Sequence, residues 1–325
     1  MSWATITLQE HDRWRCPEAM KLKPEESQTR NTEGLLHIHE GSGEKIQEWS
    51  GKYFGQNWRL FQGPAKEALS FLDEESIDCV VTSPPYFWLR DYGVEDQIGL
   101  EDSVDGYVVN ITDVMAEVYR VLKKDGVLFL NIGDTYYSGK GESQGVDRKS
   151  SKRRFGLRAV DKSGGLGIGL KRKSIIGVPW RVAIKMCNQN WILRTPIIWH
   201  RDKCLPESVK DRPRRGYEYI FMFVKARKYY FDRKGLPQNG SSEDVWRIPT
   251  RSKNGGIDTA PFPDELVKQC LSIGCKEGGL VLDPFCGSGT TIRVALETKR
   301  DGIGVEINPE FCDYVRRALS CDVPQ

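Results

Sequence analysis

Two short stretches of this chain carry residue types that could do chemistry together. The first is Ser83-Pro84-Pro85-Tyr86. It supplies a small hydroxyl, an aromatic ring and a backbone stiffened by two prolines, neither of which can donate to a sheet. Such a turn suits gripping a flat, amine-bearing ring, with oxygen acceptors for the amine hydrogens and a face to stack on. A strand-terminating turn with a packed tyrosine would use the same four residues. The second stretch is Asp283-Pro284-Phe285-Cys286-Gly287-Ser288-Gly289-Thr290-Thr291, followed further on by Glu306. Glycines let a backbone approach a ligand closely, and an acid at the end of the next strand can bind ribose hydroxyls. A dinucleotide fingerprint wants a third glycine at position 292, where Ile292 stands, and the Gly-Lys-Ser/Thr that closes a phosphate loop is absent. A nucleoside without phosphates therefore fits better than a pyrophosphate, and a nicotinamide-linked oxidoreductase is the weaker reading.

Both stretches need strands to hold them. Ile77 to Thr82 is short, apolar and β-branched at its end, the pattern of a buried strand. Leu280 to Asp283 is another, followed by a helical stretch from Ile292 to Thr298 and a strand over Gly302 to Glu306. Ala65 to Leu72 reads as a short helix. Val104 to Leu122 has helical spacing and stops at Lys123-Lys124-Asp125-Gly126, where a helix end favours bases and glycine. Val127 to Ile132, Trp191 to Trp199 and Tyr217 to Val224 read as strands, and Pro179 to Asn188 and Phe262 to Gly274 as helices. This alternation predicts an α/β fold, a doubly wound and mostly parallel sheet with helices on both faces. Ligands in such sheets sit beyond the carboxyl ends of strands, where both stretches lie.

Together the two motifs resemble the amino-directed DNA methyltransferases that use S-adenosyl-L-methionine. Asp283 to Thr291 resembles that family's cofactor loop. Thr82-Ser83-Pro84-Pro85-Tyr86 resembles its catalytic loop in the form usual for N4-cytosine enzymes; adenine enzymes more often carry Asp in place of Ser. The catalytic motif precedes the cofactor motif, as in the circularly permuted β group. Val127 to Asp134, Gly177 to Arg181, Trp199 to Arg201, Tyr217 to Phe221 and Ala260 to Leu266 follow in the family's order. One position departs: Pro64 stands where the family often has an acid near the cofactor adenine.

The resemblance implies a Rossmann-like class I methyltransferase fold. Ser83 Oγ and the Pro84 carbonyl are then the acceptors for the target amine, Pro85 stiffens the turn, and Tyr86 stacks on a base flipped from the duplex. Asp283, Pro284 and the loop Phe285, Cys286, Gly287, Ser288, Gly289, Thr290 and Thr291 hold the methionine and ribose portions of the cofactor. Glu306 accepts from the ribose, Ile307 packs on the adenine and Phe262 flanks it. The expected activity is methylation of cytosine N4 in DNA, with adenine N6 as the alternative base. A non-catalytic nucleic-acid-binding protein with an inactive core is the alternative of another class. Asn131 and Asp134 suit either the crevice or strand-end capping, and Phe87 and Trp88 suit either the base pocket or the core.

Charge distribution points to the polymer. Residues 138–181 carry twelve Lys/Arg against three acids, a net of +9 in a chain whose total is +3. This Gly/Ser-rich segment reads as a basic loop for phosphates, with Lys149, Lys152, Arg153, Arg154, Lys171, Arg172 and Lys173 as the DNA-binding candidates. Residues 1–56 read as an accessory extension, with an edge strand near Leu36 to His39. Residues 57–325 read as the catalytic domain, with a basic loop over 135–175 and target-recognition elements over 200–260. Nine cysteines without a Cys-x-x-Cys pair predict free thiols and no metal site. No apolar run is long enough to span a membrane and no secretory signal is visible, so an intracellular protein working on duplex DNA is expected.

Overall fold

The computed structural model describes residues 35–40, 45–89, 91–137, 170–171, 173–201, 210–236, 243–250 and 262–320. Among the described residues, ten strands form one sheet: β1 (Leu35–Glu40), β2 (Lys45–Tyr53), β3 (Gln56–Gln62), β4 (Ile77–Thr82), β5 (Leu122–Ile132), β6 (Ile192–His200), β7 (Tyr217–Val224), β8 (Val245–Arg247), β9 (Leu280–Asp283) and β10 (Asp301–Glu306). Their spatial order is β1-β2-β3-β10-β9-β4-β5-β7-β6-β8. The five central strands, β3 to β5 in that order, are mutually parallel. Strand β7 is antiparallel to β5, so its amino end lies at the edge where the parallel strands end. The carboxyl ends of β4, β5, β9 and β10 and the start of β7 thus share one rim.

Among the described residues, six α-helices cover the faces: α1 (Ala65–Leu69), α2 (Val104–Val121), α3 (Val178–Cys187), α4 (Asp264–Gly274), α5 (Thr290–Glu297) and α6 (Pro309–Ser320). The pleat assigns each residue its side. Val80, Leu128, Leu130 and Phe221 join the core under α1, α2 and α3. Cys79, Val81, Phe129 and Met222 join the core under α4. A third cluster packs α5 and α6 on β2 and β3. Strands buried on both faces read as near-continuous apolar runs, which is why the sequence marks β4, β7 and β9 at their observed bounds.

Other bounds differ from expectation. Helix α2 starts at an N-cap, Ser103, whose hydroxyl accepts from Gly106 N–H at 3.0 Å. It ends at Val121, and the backbone turns extended at Leu122. The expected stop at Lys123 to Gly126 is instead the start of β5, with Lys123 Nζ bonded to Asp78 at 2.8 Å. Strands β2 and β3 carry no clear sequence period. They form a hairpin at Phe54 and Gly55 that is continuous with the central sheet through β10. The described part of the amino-terminal extension is therefore an edge of the same sheet. Of the basic loop, Lys149, Lys152, Arg153, Arg154 and Arg172 lie outside the described residues.

Candidate active site

The two motifs meet through one buried hydrogen bond. Thr82 Oγ1, on the residue before the Ser83 turn, donates to Asp283 Oδ1 at 2.6 Å across 201 residues of sequence. Asp283 is 1% exposed. Its other contacts are Thr291 Oγ1 at 2.7 Å and Phe285 N–H at 3.1 Å. Thr291 Oγ1 also lies 3.2 Å from the Val81 carbonyl. Asp283 therefore ties β4, β9 and α5 together. Burial raises its pKa to about 6 against the pull of those three donors.

The glycine loop is closed by backbone. Gly287 (φ 52°) and Gly289 (φ 77°) occupy the left-handed region that only glycine enters freely. Gly287 faces open space, whereas a Cβ on Gly289 would meet Val315 at 2.9 Å. Glu306 Oε2 accepts from Gly287 N–H at 2.9 Å and Oε1 from Asn308 N–H at 2.8 Å. Burial pushes its pKa up to about 7, opposed by these amides. Ile292 explains the missing third glycine. Its side chain packs straight onto β10, where a Cβ on Gly304 would lie 2.3 Å from Ile292 Cδ1 and 2.9 Å from Cys286 Sγ. The close helix–strand approach is made by strand glycines here, Gly302 and Gly304, in place of a helix glycine.

Around this loop, Phe262, Pro284 and Cys286 are buried, and Phe285, Ser288 and Ile307 are half-buried. Thr290 Oγ1, at the start of α5, is buried without a hydrogen-bond partner among the described residues. A free hydroxyl beside a helix amino terminus suits a carboxylate, and a carboxylate at the end of β10 suits a diol. The donor set fits an amino-acid-bearing nucleoside.

The Ser83 turn is held from three sides. Pro85 carbonyl accepts from Tyr107 Oη at 2.8 Å. Tyr86 Oη donates to Glu218 Oε2 at 2.6 Å and lies 3.2 Å from Asn131 Oδ1. Its ring lies against Gly133, where a Cβ would come within 2.5 Å of Cε2. Ser83 Oγ is 3.4 Å from Tyr86 Oη. Burial first, and then the Glu218 charge, raise the Tyr86 pKa well above its ordinary value. Ser83 and Tyr86 are half-buried and Pro84 is buried.

Residues with two readings now divide. Phe87 and Trp88 are core: Phe87 lies 5.3 Å from the Tyr107 ring, and Trp88 Nε1 bonds the Glu101 carbonyl at 2.7 Å. Asp134 caps α3 by accepting from Gly177 and Val178 N–H, each at 3.1 Å. Trp199 is buried and bonds the Ile248 carbonyl at 2.8 Å. Asn131 belongs to the site. Glu218 and Arg201 join it through Tyr86; both lie in segments that follow the family's order, but neither residue is singled out by the sequence. Lys171 and Lys173 are exposed, and Lys173 pairs with Asp211 at 2.5 Å. Among the described residues no cluster of metal-ligating side chains gathers, and no helix is long and apolar enough to cross a membrane.

Comparison with known proteins identifies the family. A family model described as DNA methylase matches residues 77–317. The type II methyltransferase M.SmaI of Serratia marcescens is 42% identical over 269 residues, covering 80% of this chain and 90% of its own. M.Cfr9I of Citrobacter freundii, also a type II methyltransferase, is 40% identical over 266 residues, covering 80% and 87%. Among solved structures, PvuII DNA methyltransferase (cytosine-N4-specific) aligns with a TM-score of 0.63 at 21% identity, covering 85% of this chain and 91% of that one. A Thermus thermophilus protein complexed with S-adenosyl-L-methionine aligns with a TM-score of 0.54 at 24% identity, covering 81% and 95%.

Proposed function

This chain belongs to the DNA methylase family, and from that premise we propose that it methylates the exocyclic N4 amine of cytosine in duplex DNA at a specific site. The cofactor is S-adenosyl-L-methionine, which when bound supplies an electrophilic methyl group on a sulfonium. Asp283, Pro284, the loop Phe285 to Thr291, Glu306, Ile307 and Phe262 are the residues to hold it. The observation that carries the reading is the Thr82–Asp283 hydrogen bond, which sets the Ser83-Pro84-Pro85-Tyr86 turn beside the glycine loop.

A cytosine amine is a poor nucleophile because its lone pair is delocalised into the ring. Fixed acceptors for its hydrogens favour a more pyramidal nitrogen and aim the lone pair. Ser83 Oγ and the Pro84 carbonyl serve as those acceptors, and the two prolines hold their geometry, where alignment is worth several kcal/mol of barrier. The target amine cannot be attacked inside a duplex, so the base is flipped, with the Tyr86 ring as its stacking face. Ser83 in place of Asp favours cytosine. Lys171, Lys173 and the remaining basic-loop residues take the phosphates, residues 200–260 contribute to recognition, and the protein works inside the cell where DNA is.

Digesting DNA treated with the protein to nucleosides, and identifying the product by mass spectrometry, tests this. N4-methylcytosine is expected. N6-methyladenine without N4-methylcytosine would sink the choice of base, and no methylated nucleoside across varied DNA, despite cofactor binding, would point to an inactive core.

A further inference from the structure

Hydrogen bonds around Tyr86 form a chain with a direction. Glu218 Oε1 takes Arg201 Nη1 at 2.7 Å, in a pair whose side chains are only 11% and 22% exposed. Glu218 Oε2 takes the Tyr86 hydroxyl at 2.6 Å and Asn131 Nδ2 at 3.3 Å. Asn131 Nδ2 also donates to the Tyr219 carbonyl at 3.1 Å, which fixes the amide's orientation and leaves its Oδ1 toward Tyr86. A carboxylate paired with a guanidinium offers only acceptors. Tyr86 has one proton, and the 2.6 Å contact claims it over the 3.2 Å contact to Asn131. The phenol oxygen can then only accept from Ser83, so the Ser83 proton turns toward Tyr86. The lone pairs of Ser83 Oγ are left for the crevice, where an amine donor meets an acceptor.

We propose that Glu218, anchored by Arg201 and Asn131, is a positioning residue that makes Ser83 a hydrogen-bond acceptor by way of Tyr86. The proposal rests on the amino-methylation reading, since only an amine substrate needs an acceptor there. It explains why a tyrosine, and not a phenylalanine, stands beside the serine: the ring can stack and the hydroxyl relays polarity. It also explains Gly133, whose missing side chain lets the Tyr86 ring reach Glu218.

Glu218→Gln preserves shape but can present an N–H to Tyr86, turning the phenol proton toward Ser83 and reversing the chain. The expected result is a single-turnover rate lowered about tenfold or more, the equivalent of one aligned hydrogen bond. DNA and cofactor dissociation constants should stay within about twofold of wild type. In a Tyr86→Phe background, Glu218→Gln should add less than about twofold, because residues acting through one another are not additive. Equal rates for Glu218→Gln and wild type, or losses that multiply independently, would overturn the proposal. Should Glu218→Gln fail to fold, wild-type protein labelled with carbon-13 at tyrosine Cζ gives the reading. The Tyr86 resonance, assigned by its loss in Tyr86→Phe, should show the downfield shift of a phenol donating to a carboxylate, and an unshifted resonance would overturn the proposal. If wild type forms no methylated amine, the functional reading has failed while the resonance still decides the chain's direction.

Discussion

On the cofactor side of the crevice, the two acids hold backbone amides within one stretch of chain, and Asp283 also takes the Thr82 and Thr291 hydroxyls. Glu306 holds the amides of Gly287 and Asn308, and Asp283 holds the amide of Phe285. On the base side, side chains are tied to side chains from four strand ends: Ser83 and Tyr86 after β4, Asn131 in β5, Arg201 after β6 and Glu218 in β7. The first arrangement binds a constant ligand with groups that the fold itself fixes. The second places substrate contacts on replaceable side chains, so the acceptor base can change while the cofactor loop does not. If this contrast is right, changes on the base side should act on turnover and changes on the cofactor side on affinity.

The largest expected effect is on turnover. Ser83→Ala removes the acceptor and should cut the single-turnover rate roughly 10²–10³-fold, the range for losing one fixed hydrogen-bonding group at a reacting centre. Cofactor affinity by calorimetry should hardly change, and a large loss of affinity would break the division between the two sides. Next in size is Glu306→Ala, which should weaken cofactor binding about 10–100-fold, as hydrogen bonds to a charged group are worth roughly 1.5–3 kcal/mol. Its turnover at saturating cofactor should stay near wild type. A turnover defect as large as that of Ser83→Ala would show that the two sides are one unit.

The pH dependence follows from Glu306, whose pKa burial has raised to about 7 from 4.5. Ribose hydroxyls donate best to the ionised form. Cofactor affinity should therefore rise with pH, by at most about tenfold per unit, and level off above about 7. Calorimetry in buffers of different protonation enthalpy should show proton release on binding near pH 7, and Glu306→Gln should abolish it. The stability of the ligand-free protein should run the other way. A raised folded-state pKa stabilises the protein below the unfolded value, so this contribution fades as pH climbs from about 4.5 to about 7. Affinity that is flat from pH 6 to 8 would take Glu306 out of the ribose site.

The same contrast explains what can be read from the chain. Residues 283–306 form one strand-loop-helix-strand unit, so the glycine loop and its acid are visible by spacing alone. The Ser83 turn is visible because two prolines after an apolar run have few uses. Glu218 is not, since it lies 132 residues from Tyr86 and the two meet only because β7 runs antiparallel to β5. Asp283 is legible because it sits in the loop motif, and the tertiary structure adds its hydrogen bonds to Thr82 and Thr291. Strands β2 and β3 escape notice because they are short of apolar alternation and gain their order from pairing with β10. Ile292 carries a correct exclusion, but the compensating glycines lie on the facing strand.

The smallest effects concern the rim, and they test whether the base side also carries the DNA. Lys171 and Lys173 lie near the start of α3, on that side. Lys299 precedes β10 at the opposite edge of the sheet and pairs with Glu277 at 3.5 Å. Each lysine that contacts a phosphate adds about 0.9 to the slope of log affinity against log salt. Lys171→Ala should lower that slope by about this amount in anisotropy titrations with a duplex. Lys173→Ala should lower it by less, because the Asp211 carboxylate at 2.5 Å already competes with phosphate for the ammonium. Removing Asp211 instead should restore weight to Lys173, so Asp211→Asn should tighten DNA binding a few-fold at low salt, the sign expected for losing a repulsive anion. Lys299→Ala should do nothing. A slope change at Lys299 equal to that at Lys171 would mean that DNA does not follow the rim, and the base side would lose its claim to the substrate.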